Sequence, residues 1–166
     1  MRLIVAVLLV SVLACTANAE AKLGFGDVPP DSLGVNNDDR EVKVSDFRGK
    51  VVVVSFWATW CTYCLKELPI LENMQRTLGP ERIAVVIVNT DKESDKYRTM
   101  RRKMKNFELT MTVDSFEQDV AKPYEVKGLP HMLIIDRQGK ISSVHVGYSE
   151  EMLPRIVDEI NELLEE

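Results

Sequence analysis

The chain has 166 residues, 45% of them hydrophobic, enough for one globular domain with its own core. Its net charge of -5 is spread without long blocks of one sign, so nucleic acid is not an expected partner. The three cysteines, Cys15, Cys61 and Cys64, are too few for a disulfide-stapled scaffold.

Arg2 is followed by the apolar run LIVAVLLVSVLA, too short to span a bilayer comfortably, and then by Ala17-Asn18-Ala19, the small-x-small pattern of a signal peptidase site. Residues 1–19 are therefore expected to be a signal peptide cleaved before Glu20, with the mature protein exported to the periplasm. Two alternatives stand beside this. An uncleaved anchor needs more apolar length than is present. Lipidation of Cys15 draws on Val12-Leu13-Ala14, an imperfect lipobox, so a soluble and a lipid-anchored mature form both stay open. In an oxidising compartment two neighbouring thiols stay reduced only if something supplies electrons. The pair Cys61/Cys64 is then either a parked disulfide or half of a redox circuit.

Residues 20–40 form a lead-in. Its stretch GFGDVPPDSLGVNNDDR (24–40) is turn-rich, with room for a short strand. The domain proper is expected over 41–166. EVKVSDF (41–47) alternates like a half-buried strand, Arg48-Gly49-Lys50 turns, and VVVVSFW (51–57) is a continuous β-branched and aromatic run. Such a run marks a strand buried on both faces of a parallel sheet.

From Thr62 to about Leu78, Leu65, Leu68, Leu71, Met74 and Leu78 recur three to four apart, which predicts a helix with Pro69 kinking it and Gly79-Pro80 ending it. IAVVIVN (83–89) reads as a second buried strand. Residues 92–106 read as a charged helix whose Tyr97, Met100 and Met104 form a core stripe rather than a soft metal site. LTMTV (109–113) is a short strand and DVAKPYEV (119–126) a short helix or turn. HMLIID (131–136) and KISSVHVG (140–147) read as a hairpin. Residues 150–164 close the chain as an amphipathic helix with Met152, Ile156, Ile160, Leu163 and Leu164 inward. Strands alternate with helices before a final hairpin and helix, so the fold class is α/β with a mixed sheet.

The chemistry sits in Cys61-Thr62-Tyr63-Cys64. Cys61 falls where the strand ends and the helix begins, and there the unpaired N–H groups and the helix dipole favour a thiolate. Such sites lower a cysteine pKa from about 8.5 to roughly 3.5–7.5. Cys61 is thus expected to attack, and Cys64, one turn inward, to resolve the mixed disulfide. A structural zinc half-site would need further ligands, and only His131 and His145 are available. Glu67 lies one turn beyond Cys64. Partly buried it would take the Cys64 proton; exposed it would be a solvated glutamate paired with lysine, and spacing does not choose between these.

Together DFRGKVVVVSFWATWCTYCLKELP, the strand–helix stretch 83–113 and YEVKGLPHMLIIDRQGKISSVHVGY resemble the thioredoxin superfamily, and more closely its exported TlpA/ResA/CcmG-like thiol–disulfide oxidoreductases. The resemblance covers nearly the whole mature chain. It implies a thioredoxin-like fold, a central mixed sheet flanked by helices, with an N-terminal β extension and a strand–helix insert. It further implies a cis bond before Pro130 with the Leu129 backbone beside the sulfurs. Cys61 is the attacking thiol by this likeness, Cys64 the resolving thiol and Glu67 the acid that tunes them. Trp57 and Trp60 match aromatics around the motif, with Trp60, Thr62, Tyr63 and Leu129 on the substrate-docking surface. The chain departs from cytosolic thioredoxins at Ser55, where they carry a buried aspartate, and at Thr62-Tyr63, which lacks a proline. His131 comes directly after the proline and is read as a strand residue.

The activity this implies is disulfide exchange on cysteine-containing exported proteins, reductive and fed by a membrane thiol–disulfide donor, as in cytochrome c maturation. Beyond the redox-active disulfide no cofactor or metal is expected, and a monomer is. Two alternatives are a disulfide-donating oxidant and a Cu(I)-handling protein using both thiolates and His131. A peroxidase is disfavoured, because the Thr-x-x-Cys context with nearby proline and arginine is missing.

Overall fold

The computed structural model describes residues 22–91, 95–115 and 119–166. The expected signal peptide, Cys15 and the first residues of the charged helix predicted from 92 lie outside this set.

Among the described residues seven strands form one mixed sheet: β1 Ser32–Asn36, β2 Glu41–Lys43, β3 Val51–Trp57, β4 Ile83–Asn89, β5 Thr110–Val113, β6 His131–Ile135 and β7 Ile141–Val146. Their order is β2-β1-β5-β4-β3-β6-β7. β3 runs parallel to β4 and β4 to β5, whereas every other neighbouring pair is antiparallel. The helices are α1 Thr62–Leu78, α2 Asp95–Lys103 and α3 Leu153–Glu165. β1 lies within the lead-in segment, yet it is a strand of the common sheet.

Every residue of β3 and β4 is buried, which is why these strands read as unbroken apolar runs and not as alternations. Each fully buried valine there contributes about 1.5–3 kcal/mol. Val51, Val53 and Trp57 face a layer made with Leu68 and Leu71 of α1, Tyr97 of α2 and Ile160 of α3. Val52, Val54 and Phe56 face the opposite layer, with Val42, Val44, Val120 and Tyr124. The three helices therefore share one side of the sheet, and turns around 119–126 cover the other. Tyr97 and Met104 are buried in the helix-side layer, as a core stripe should be.

Two elements differ from expectation. The strand predicted over 41–47 stops at Lys43, and Val44–Phe47 form a 3-10 turn. The cause is local: the Asp46 carboxylate accepts the Lys43 N–H (2.9 Å), a side chain-to-backbone bond that competes with the ladder. The C-terminal helix opens with a 3-10 turn over Glu150–Met152, and α3 itself begins at Leu153. Pro154 sits in its first turn, a position where the missing N–H costs nothing.

Helix α1 carries the connection from β3 to β4 and is tied to both β4 and β5. Below the point where β5 joins β4 at Val86, the Val85 N–H donates to the buried Gln75 side chain (2.7 Å). Buried Glu72 accepts the Glu108 N–H (2.9 Å) and the Leu109 N–H (3.3 Å) at the entry to β5. The N-terminus of α1 thus sits at the carboxyl end of β3, with β4 on one side and β6 on the other. Open α/β sheets bind their ligands beyond the carboxyl ends of the parallel strands, which is where this junction lies.

Candidate active site

Residues 58–61 form the short bridge from β3 into α1. The Thr59 N–H donates to Asp91 beyond β4 (2.6 Å), the Thr90 N–H to the Trp57 carbonyl (3.0 Å), and the Cys61 N–H to the Ala58 carbonyl (3.1 Å). This fixes Cys61 as the N-cap of α1, where its sulfur accepts the Cys64 N–H (3.2 Å). A cysteine here takes the place usually held by serine or aspartate oxygen. Cys61 and Cys64 are joined in a disulfide with S–S 2.08 Å. Their accessibility differs: Cys61 keeps 6% of its surface and Cys64 none. A partner sulfur approaching from outside can reach only the first.

The surroundings are split between packing and exposure. Trp57 is wholly buried at the end of β3 and packs at a tilt on Tyr97 (6.1 Å between ring centres). Trp60 is 72% exposed and Tyr63 57%, with the Tyr63 ring 6.5 Å from that of Tyr148. Thr62 is exposed beside them. The Leu129–Pro130 peptide is cis, as the family likeness implied; Pro130 is buried and Leu129 half-buried. β6 starts at His131 opposite Phe56, so this loop lies at the same end of the sheet as the disulfide, and the Gly147 N–H holds the Pro130 carbonyl (2.8 Å).

Glu67 is buried, which decides between its two readings in favour of a group inside the protein. Its Oε2 accepts the Ser55 hydroxyl (2.6 Å). Burial pushes the Glu67 carboxyl up to about 7, against the opposing pull of the Ser55 hydroxyl and the charge of His145. It stands one helical turn below Cys64 on the same helix. A carboxyl poised near neutrality there can accept a proton and give it back. Ser55, the departure from the aspartate of cytosolic thioredoxins, is the residue that anchors Glu67.

His131 faces away from the sulfurs. It belongs to the layer of Phe56, with the two rings edge to face at 6.1 Å, while both cysteines belong to the helix-side layer. Burial holds its imidazole below the ordinary histidine range. The three ligands proposed for Cu(I) therefore do not converge. Among the described residues no group of three or more His, Cys, Asp or Glu side chains is placed to hold a metal ion. Sequence reasoning missed a second buried polar group on the helix side: His145 of β7 lies 3.4 Å from Glu159 of α3 and 2.9 Å from the Ser143 hydroxyl. No clean periodicity signalled it, since the register shifts between Ile141 and Ser143, leaving Ile141 in the opposite layer while Ser143 and His145 face the helices.

Comparison with known proteins agrees with this geometry. The profile of the Redoxin family matches residues 25–163. The thioredoxin-like protein YneN of Bacillus subtilis is 29% identical over 128 residues, covering 77% of this chain and 75% of its own. The thiol-disulfide oxidoreductase ResA of Geobacillus thermodenitrificans is 28% identical over 153 residues, covering 89% and 86%. A crystal structure from Chlorobium tepidum, assigned as a thiol:disulfide interchange protein DsbE, superposes with a TM-score of 0.75 at 31% identity, covering 86% of this chain and 99% of that one.

Proposed function

Because this chain belongs to the Redoxin family, as a thioredoxin-like thiol–disulfide oxidoreductase of the TlpA/ResA/CcmG type, we propose that it works in the reducing direction on disulfides of exported proteins, including those awaiting haem in cytochrome c maturation. Residues 1–19 act as the signal peptide, 20–40 as the lead-in and 41–166 as the thioredoxin-like domain, free or lipid-anchored and monomeric. The observation that carries the reading is the disulfide at the N-cap of α1, with Cys61 outermost and Cys64 enclosed.

In the reduced protein the helix N-terminus stabilises the Cys61 thiolate. That thiolate attacks one sulfur of a substrate disulfide, forms a mixed disulfide and expels the other substrate sulfur as a thiolate. Glu67 accepts the Cys64 proton. The Cys64 thiolate then attacks Cys61 Sγ, and the second substrate sulfur leaves. Two electrons pass to the substrate, and the Cys61–Cys64 bridge remains for a membrane thiol–disulfide donor to reduce. Trp60, Thr62, Tyr63 and Leu129 form the surface against which the substrate chain lies, with Pro130 shaping the loop opposite the sulfurs.

Trapping tests the roles. In cells, Cys64→Ser is expected to hold substrate proteins covalently through Cys61, and mass spectrometry of the adducts identifies them as exported cysteine proteins. Adducts formed by Cys61→Ser but not by Cys64→Ser would reverse the two assignments.

A further inference from the structure

Charge in this protein is distributed against its average. Acidic residues outnumber basic ones, 26 to 21, yet from Lys96 to Phe107 the chain carries cations and no acid. In the sequence Tyr97, Thr99, Met100 and Met104 interrupt these cations, so they form no long block. Helix α2 sorts them. Tyr97, Met100 and Met104 recur along the helix and pack into the helix-side layer, and the Met104 N–H still donates to the Met100 carbonyl (3.0 Å). Arg98, Arg101 and Arg102 stand at i, i+3 and i+4, with Lys105 one turn on, so they line a single stripe turned away from the core.

Such a stripe destabilises the helix that carries it. Like charges three and four residues apart repel, and interleaved acids would relieve them. Elsewhere the chain supplies that relief: Arg40, Lys43 and Arg76 each meet a carboxylate. On the stripe, among the described residues, only Arg98 has an ion pair, with Asp95 (3.0 Å), and its side chain is still 66% exposed. Arg101 donates to the Asn37 amide oxygen (2.8 Å) and Arg102 to the Thr99 hydroxyl (3.3 Å), both of them neutral, while Lys105 is exposed. The helix dipole favours the cations of the last turn. It opposes Lys96 and Arg98 in the first.

We propose that the α2 stripe is an interaction surface for anionic phospholipid headgroups, and that the protein lies on a bilayer by this flank. The cations are spread along the helix and converge on no pocket, which suits a broad and evenly charged plane. The hollow beside them, between β1 and α2, also contains Asp39, so it is a poor seat for the carboxylates of an acidic peptide. Acids farther than about 8 Å from the stripe are screened at physiological salt, so the net charge of -5 does not prevent binding. The stripe begins near the disulfide end of the sheet: Tyr97, just before Arg98, packs on Trp57 (6.1 Å), the last residue of β3. Bound this way, Cys61 is held near the membrane plane, where a membrane-borne donor is met. That use rests on the reading that such a donor reduces the disulfide; the binding itself does not.

Sedimentation with vesicles tests the surface, using the mature chain from Glu20 so that the apolar leader plays no part. At low salt it is expected to bind vesicles of phosphatidylglycerol mixed with phosphatidylcholine, to leave them at high salt, and to ignore pure phosphatidylcholine. Arg102→Gln with Lys105→Gln should weaken binding about 25-fold, roughly fivefold for each charge. Lys122→Gln with Lys127→Gln removes equal charge from the segment covering the other side of the sheet and should leave binding unchanged. No sedimentation with the anionic vesicles overturns the proposal, and so does an equal loss in both double variants. Capture by poly-glutamate without capture by vesicles overturns it as well, and gives the stripe to an acidic polypeptide. Failure of the exchange reading looks different: vesicle binding persists and stays sensitive to Arg102 and Lys105, while Cys64→Ser traps no partner.

Discussion

At the scale of single residues the protein places one carboxyl where water would normally not allow it to stay neutral. Glu67 ionises near 4.5 in an unfolded chain and at about 7 here, because burial penalises the charged form. The native state therefore binds this proton more tightly than the unfolded state. The stability it confers is complete below pH 4.5 and is lost as pH rises through 7, a span of about 3 kcal/mol. Chemical denaturation of the oxidised protein is expected to show this decline, and Glu67→Gln to flatten it and raise stability at pH 8. In the reduced protein the same variant should slow resolution of the mixed disulfide by about 10²-fold, as loss of a general base does. Both sulfurs were legible in the sequence because they lie close together on one strand–helix junction; for Glu67 the spacing left two readings open and only the family likeness favoured one. Ser55 and His145 were not legible as partners: Ser55 meets Glu67 across 12 positions, and His145 meets a carboxylate of the last helix.

At the scale of elements, α1 holds the sheet together as much as it holds the sulfurs. Glu72 takes the N–H groups of Glu108 and Leu109, just before β5 begins at Thr110. Glu72→Ala leaves those donors without their acceptor and is expected to cost about 2–4 kcal/mol in denaturant unfolding. Glu72→Gln keeps one acceptor oxygen and should cost less. β3, α1 and β4 could be read from sequence with their ends nearly in place, since their residues are governed by period and by burial on both sides. The stretch 41–47 could not. Its alternation is that of a strand, and a single carboxylate, Asp46, turns the chain back on Lys43. β7 was legible as half of a hairpin, and only the packing of α3 shows why Ser143 and His145 occupy its inner face.

For the whole molecule, the direction of electron flow is a question of stability. A protein that reduces its substrates is one whose own disulfide is favoured, so closing that disulfide must stabilise the fold relative to the dithiol. The oxidised form is therefore expected to unfold at higher denaturant concentration than the reduced form; the reverse order would identify a disulfide donor. The class of fold was legible in the order of strands and helices, but the one-sided arrangement of helices was not, because it depends on where β6 returns beside β3. One detail of that architecture reaches further than its size suggests. The Cys61 sulfur caps α1 and, in the proposed exchange, is also the atom that changes covalent partner. On the proposed mechanism, opening the bridge turns a neutral acceptor into an anionic one facing the same Cys64 amide, and charge-assisted contacts of that kind are the tighter ones. Spent and recharged molecules are then expected to differ in the tautness of a single helical turn, readable as slower exchange of the Cys64 amide hydrogen in the reduced form, with no hinge required.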